Sequence, residues 1–140
     1  MSRILVPVDG SENALRAVRH AAKLAREQKP VEIHLINVQP PLRGGVTTFV
    51  GSQTVREFHV EEAQKCLASA KAELDKAGIP YDVHICVGNA GEQIVAFADS
   101  LKCDSIVMGT RGLGGFAGAV LGSVSNDVIQ RANIPITLVK

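Results

Sequence analysis

Between Met108 and Ser123 the chain reads MGTRGLGGFAGAVLGS, six glycines in sixteen residues with Arg111 as the one charge. Glycine has no Cβ, so its amide can approach an anion closely and its φ can turn positive. Ser123 then opens a segment of helical character, SVSNDVIQRA. The first amides of a helix are unpaired donors at the positive end of its dipole. Glycines 109, 112, 114, 115, 118 and 122 running into a helix start therefore suit a phosphate, with the hydroxyls of Thr110, Ser123 and Ser125 as further donors. The same glycines would serve plain turns, and FAGAVL a tightly packed structural segment, so the local residues leave both readings open.

Other phosphate and catalytic patterns are poorer fits. A P-loop needs lysine after its last glycine, and no lysine lies between Lys102 and Lys140. GLGGFA at 112–117 matches a loose dinucleotide fingerprint, but it does not follow the first strand and no acidic residue stands about twenty positions on. Ser123 is in no GxSxG elbow, and His20, His34 and His59 have no partner that suggests a triad. His84 and Cys86 share a strand face at a spacing that a metal could bridge, but two ligands without a third are expected to be structural. Cys66, Cys86 and Cys103 are odd in number, widely spaced and without a CxxC pair, which predicts reduced thiols.

The elements that must position these residues are read from periodicity. Apolar runs predict strands at 3–8 (RILVPV) and 31–38 (VEIHLINV), at 105–109 (SIVMG) and at 135–140 (PITLVK). Residues 81–87 alternate Tyr81, Val83, Ile85 and Val87 with Asp82, His84 and Cys86, as a half-covered edge strand would. Helices are predicted from Glu12 to about Gln28 with Ser11 as N-cap, from Thr54 to Ala77 with Gly78 beyond its end, over 90–101 and from Ser123. Val60, Ala63, Leu67, Ala70, Leu74 and Ala77 form the expected inner face of the second of these. Residues 39–53 are a long proline- and glycine-containing loop of the kind that lies beside ligands. Strands alternating with helices predict one α/β domain over 1–140 with a parallel sheet covered on both faces. Ligands of such sheets lie beyond the carboxyl ends of strands, where the strand order reverses.

Formal net charge is +1, with 46% hydrophobic and 21% charged residues. This balance argues against nucleic acid or an anionic membrane as partner. MSRILVPVDG shows no leader-peptide pattern, and the weakly polar stretch from Leu113 to Val124 is well short of a membrane span. A cytoplasmic location is expected.

Gly109, Gly112 and Gly122-Ser123 also fit G-x2-G-x9-G-[ST], and here the sequence resembles the ATP-binding branch of the universal stress protein family. ILVPVDGSENALRAVRHAAKLA is similar to that family's first strand, aspartate and helix, SIVMGTRG to its fourth strand, and LGSVSNDVIQRANIPITLV to its closing helix and strand. The resemblance implies an open five-stranded parallel sheet of order 3-2-1-4-5, Rossmann-like, with helices on both faces. It implies ATP at the ends of strands one and four, with Mg²⁺. Pro7, Val8 and Asp9 would line the adenine and ribose side, with Asp9 a candidate for ribose or Mg²⁺ contact. Val38 would present its backbone to adenine beside Met108. Gly109, Thr110, Arg111, Gly112, Leu113, Gly114, Gly115, Gly122, Ser123, Val124 and Ser125 would surround ribose and phosphates. A homodimer would form through Ile136, Thr137, Leu138 and Val139.

Asn37 stands where many members have histidine, and LGGFAGAVL has no basic residue, so phosphate charge would fall to amides, hydroxyls and a metal ion. The function implied is a stress-response regulator that binds ATP. The alternatives are a slow ATPase or self-phosphorylating enzyme using Thr110, Ser123 or Ser125, and a nucleotide-free dimeric interaction protein. Gly109→Val and Gly122→Val are expected to remove binding and leave the fold intact.

Overall fold

The structure, a computed structural model, describes residues 2–28, 30–42, 51–111 and 121–140. Its elements in chain order are β1 (Ser2–Pro7), α1 (Glu12–Glu27), β2 (Val31–Gln39), α2 (Ser52–Lys76), β3 (Tyr81–Val87), α3 (Ala90–Ser100), β4 (Ser105–Gly109), α4 (Ser123–Arg131) and β5 (Ile136–Val139). All strand pairs are parallel, in the order β3-β2-β1-β4-β5. The order 3-2-1-4-5 that the resemblance implies is met, with β3 at one edge as its polar alternation predicts.

Side chains alternate across the sheet and divide the core in two. Ile4, Val6, Ile33, Leu35 and Val107 face α1 and α2, meeting Ala17, Val18, Ala21, Leu67, Ala70 and Leu74. Leu5, Ile36, Ile106 and Met108 face α3 and α4, meeting Ile94, Ala98 and Val128. Strands covered on both faces must be apolar throughout, which is why β1 and β4 read as unbroken hydrophobic runs. β3, covered less, keeps its polar alternation.

The helix ends follow local chemistry. Ser11 caps α1, its Oγ accepting from the Ala14 amide at 3.1 Å. Gly78 sits at φ +68 just beyond α2, a conformation in which a Cβ is strained, and turns the chain toward β3. One helix face is corrected. His59 is buried on α2, whereas Val60 is 44% exposed and Ala77 is also exposed. His59 and Val60 lie about 50° to either side of the centre of the stripe formed by Ala63, Leu67, Ala70 and Leu74, so spacing alone could not choose between them. No helix among the described residues is long and apolar enough to cross a membrane.

Candidate functional site

From β1 the chain moves outward to β2 and β3, then crosses back to β4 and β5 on the other side. The strand order therefore reverses between β1 and β4, and the carboxyl ends of these two strands are where sheets of this kind form a ligand crevice. At the β1 end the Val8 amide donates to the Ile36 carbonyl at 2.8 Å, and the Val8 carbonyl accepts from Asn37 Nδ2 at 2.7 Å. Asn37 is 2% exposed, and its Oδ1 accepts from Gln39 Nε2 at 2.7 Å. Asn37 thus ties the end of β1 to β2, which sequence reasoning treated only as a departure from a family pattern. Asp9 is half-buried, and its Oδ1 accepts from the Ser11 amide at 2.9 Å, shaping the turn into α1. Pro7 ends β1, and Val38 is half-buried on β2. A small recess of about 70 Å³, lined by Val8, Gly10, Ser11, Leu15, Cys66 and Ser69, opens beside this end.

At the β4 end the glycine loop is closed at its neck. The Thr110 amide donates to the Val139 carbonyl at 3.0 Å, and the Gly122 amide donates to the Thr110 carbonyl at 2.6 Å. Ser125, 3% exposed, points its hydroxyl at the carbonyls of Gly109 and Thr110, at 2.9 and 3.1 Å. The Ser125 proton is therefore committed to the scaffold. Thr110 Oγ1 accepts from Asn13 Nδ2 at 3.2 Å, a contact 97 residues apart that joins α1 to the loop and that sequence reasoning missed. Met108 is buried beneath; Arg111, Ser123 and Val124 are exposed. Gly112, Leu113, Gly114 and Gly115, expected at the phosphates, lie outside the described residues, as do residues 43–50 of the long loop.

The start of α4 differs from those of α1 and α3. Ser11 (φ −77, ψ 160) and Asn89 (φ −74, ψ 125) hold N-cap geometry, and each side chain accepts a first-turn amide, Ala14 and Glu92 respectively. Gly122 has nearly the same backbone (φ −77, ψ 166) but no side chain with which to cap. Among the described residues, no side chain accepts a hydrogen bond from the first-turn amides of α4. An external anion fits that donor set. α2 also begins on a glycine, Gly51, but at φ +87 rather than in N-cap geometry.

Gly109 plays another part. A Cβ there would lie 2.9 Å from both the carbonyl carbon and the Cβ of Asn13, and 3.0 Å from its oxygen. Its glycine is needed for the approach of α1 to β4, so the expectation that Gly109→Val spares the fold is corrected. The three cysteines are free, as expected. Burial raises Cys103 from the ordinary 9.0 to about 11, which keeps it a thiol.

Away from the crevice, the β2–β3 register supplies neighbours that sequence distance hid from His84. His34 Nδ1 is 2.9 Å from His84 Nε2, and Glu32, His34 and Asp82 offer ligand atoms all within 4.8 Å of one another.

Comparison with known proteins agrees with this architecture. The chain is 33% identical to the universal stress protein MJ0531 of Methanocaldococcus jannaschii over 140 residues, spanning 99% of this chain and 81% of that one. The solved structure of MJ0577 from the same organism superposes with a TM-score of 0.85 at 31% identity, covering 99% of this chain and 95% of that one. The universal stress protein of Archaeoglobus fulgidus in complex with dAMP superposes with a TM-score of 0.70 at 29% identity, covering 100% and 98%. The profile of the universal stress protein family matches residues 1–140. With the doubly wound 3-2-1-4-5 sheet and the glycine signature at its switch point, this chain belongs to the universal stress protein family.

Proposed function

We propose that residues 1–140 form a single nucleotide-binding domain that takes ATP, with Mg²⁺, across the ends of β1 and β4 and acts as a cytoplasmic stress-response regulator. Pro7, Val8, Asp9, Val38 and Met108 would hold the nucleoside, and residues 109–115 with 122–125 the ribose and phosphates. The observation that carries this reading is the start of α4, where Gly122 leaves the first-turn amides uncapped beside the crevice. The dAMP complex of the Archaeoglobus relative supports an adenine nucleotide as ligand. Bound ATP would supply negative charge to these amides, which have no side-chain acceptor among the described residues.

Binding rather than turnover is the reading, because three of the polar side chains expected at the crevice, Ser125, Asp9 and Thr110, hold the scaffold. Ser125 is engaged by two carbonyls, Asp9 by the Ser11 amide and Thr110 by Asn13. Dimerisation through Ile136, Thr137, Leu138 and Val139 belongs to the same proposal, since β5 is the sheet edge opposite β3.

The test is amide NMR of the nucleotide-free protein during addition of ATP. The Thr110, Ser123 and Val124 amides are expected to shift, while Glu92 in the capped first turn of α3 stays in place. Shifts that spare Ser123 and Val124 would overturn the assignment.

A further inference from the structure

On the α3 side of the sheet, Glu32 and His34 of β2 lie beside Asp82 and His84 of β3, in a register that pairs His34 with Asp82 and Ile36 with His84. His34 is 5% exposed. Its Nε2 lies 3.0 Å from Glu32 Oε1, and Glu32 Oε2 accepts in turn from Arg3 Nε at 3.1 Å. An ionised carboxylate only accepts, so the Nε2 of His34 carries the proton and its Nδ1 presents a lone pair. That lone pair faces His84 Nε2 at 2.9 Å and Asp82 Oδ2 at 3.8 Å. The His84 ring is stacked on His34 with centroids 5.2 Å apart and backed by Phe97 at 5.6 Å.

His84 Nε2 and Asp82 Oδ2 thus both lie near the same nitrogen, His34 Nδ1, with the His84 Nε2 proton between the two rings. The Asp82 side chain beside it is 65% exposed. The order Glu32–His34–lone pair is the carboxylate–histidine arrangement that orients imidazoles toward metals. We propose that His34 Nδ1, His84 Nε2 and the Asp82 carboxylate form a site for a divalent metal of the zinc type, with water as fourth ligand and Glu32 as the positioning residue behind His34. The site is separate from the crevice, since His34 lies about 10 Å along β2 from Asn37 at about 3.3 Å per residue. On binding, His84 changes tautomer, its ring proton passing through water from Nε2 to Nδ1, so that both imidazoles stay neutral and the metal takes both nitrogen lone pairs. Tetrahedral Zn²⁺ with bonds of about 2.0–2.1 Å needs its two nitrogens about 3.3 Å apart, so the imidazoles must part by a few tenths of an ångström. Asp82, being exposed, is free to swing in.

The experiment is titration of the chelator-treated full chain, without nucleotide, with Co²⁺ followed by displacement with Zn²⁺. Wild type is expected to bind one equivalent with the visible absorption of four-coordinate cobalt and to lose that absorption to zinc. His84→Gln should abolish the absorption and Asp82→Asn should weaken binding; neither residue is fully buried, so the fold survives to be measured. Glu32→Gln should keep the spectrum with affinity about 10- to 100-fold lower. No four-coordinate spectrum in wild type, an unchanged one in His84→Gln, or a thiolate charge-transfer band marking a cysteine ligand would each overturn the site.

Discussion

Gly109→Ala is expected to lower stability by about 1–3 kcal/mol, the usual cost of forcing extra volume into a packed contact. At this chain length that corresponds to about 3–10 °C in thermal midpoint. Gly109→Val should cost more, because its branch adds bulk on a Cβ already 2.9 Å from the Asn13 carbonyl carbon. Against a total stability of about 5–15 kcal/mol, that loss leaves a chain that is partly unfolded on warming. Two of the three nearest atoms are Asn13 backbone, so Asn13→Ala should not rescue either variant. Thermal melts followed by circular dichroism check this. A Gly109→Val midpoint equal to wild type, or rescue by Asn13→Ala, would show that α1 yields and that the close approach is not required.

Gly122→Asp should do the opposite, sparing the fold and removing the ligand. The Gly122 backbone, at φ −77 and ψ 166, matches that of the N-cap Ser11 at φ −77 and ψ 160. An aspartate there would cap α4 from within, and asparagine, aspartate or serine gains only a few tenths of a kcal/mol over glycine at such a position. Its carboxylate would occupy the amides and repel phosphate. Like charges about 4 Å apart at an effective dielectric of about 20 repel by about 4 kcal/mol, and half of that is about a thirtyfold loss of affinity. The expected result is an unchanged or slightly higher thermal midpoint with ATP affinity at least about thirtyfold weaker. Equal affinity in variant and wild type would remove the α4 amides from the site.

Much of this was legible in the sequence, for identifiable reasons. Strands buried on both faces tend to be continuously apolar, so β1 and β4 stood out, and the polar alternation of Tyr81 to Val87 marked β3 as an edge. Ser11 and Gly78 marked helix ends because capping is a local event. What stayed hidden depends on contacts between distant residues. Asn13 reaches Thr110 across 97 residues, and His34 reaches His84 across 50. Asn37 looked like an adenine-side variation until its amide was found on the Val8 carbonyl. Gly109 was read together with the other loop glycines, but its reason is the nearness of α1, which no spacing within the loop reveals. His59 and Val60 flank one helical stripe symmetrically, and apolarity favoured the wrong one.

The central claim is that this domain grips a nucleotide by its phosphates, at the glycine loop and the start of α4. Calorimetric titration of nucleotide-stripped protein with ATP and with AMP, each with and without Mg²⁺, tests it most directly. The account predicts micromolar binding of ATP and affinity for AMP lower by at least about tenfold, a difference of about 1.4 kcal/mol. Binding of AMP as tight as that of ATP would contradict the phosphate cradle, and binding of neither would leave the glycines as turn and packing residues of an interaction protein.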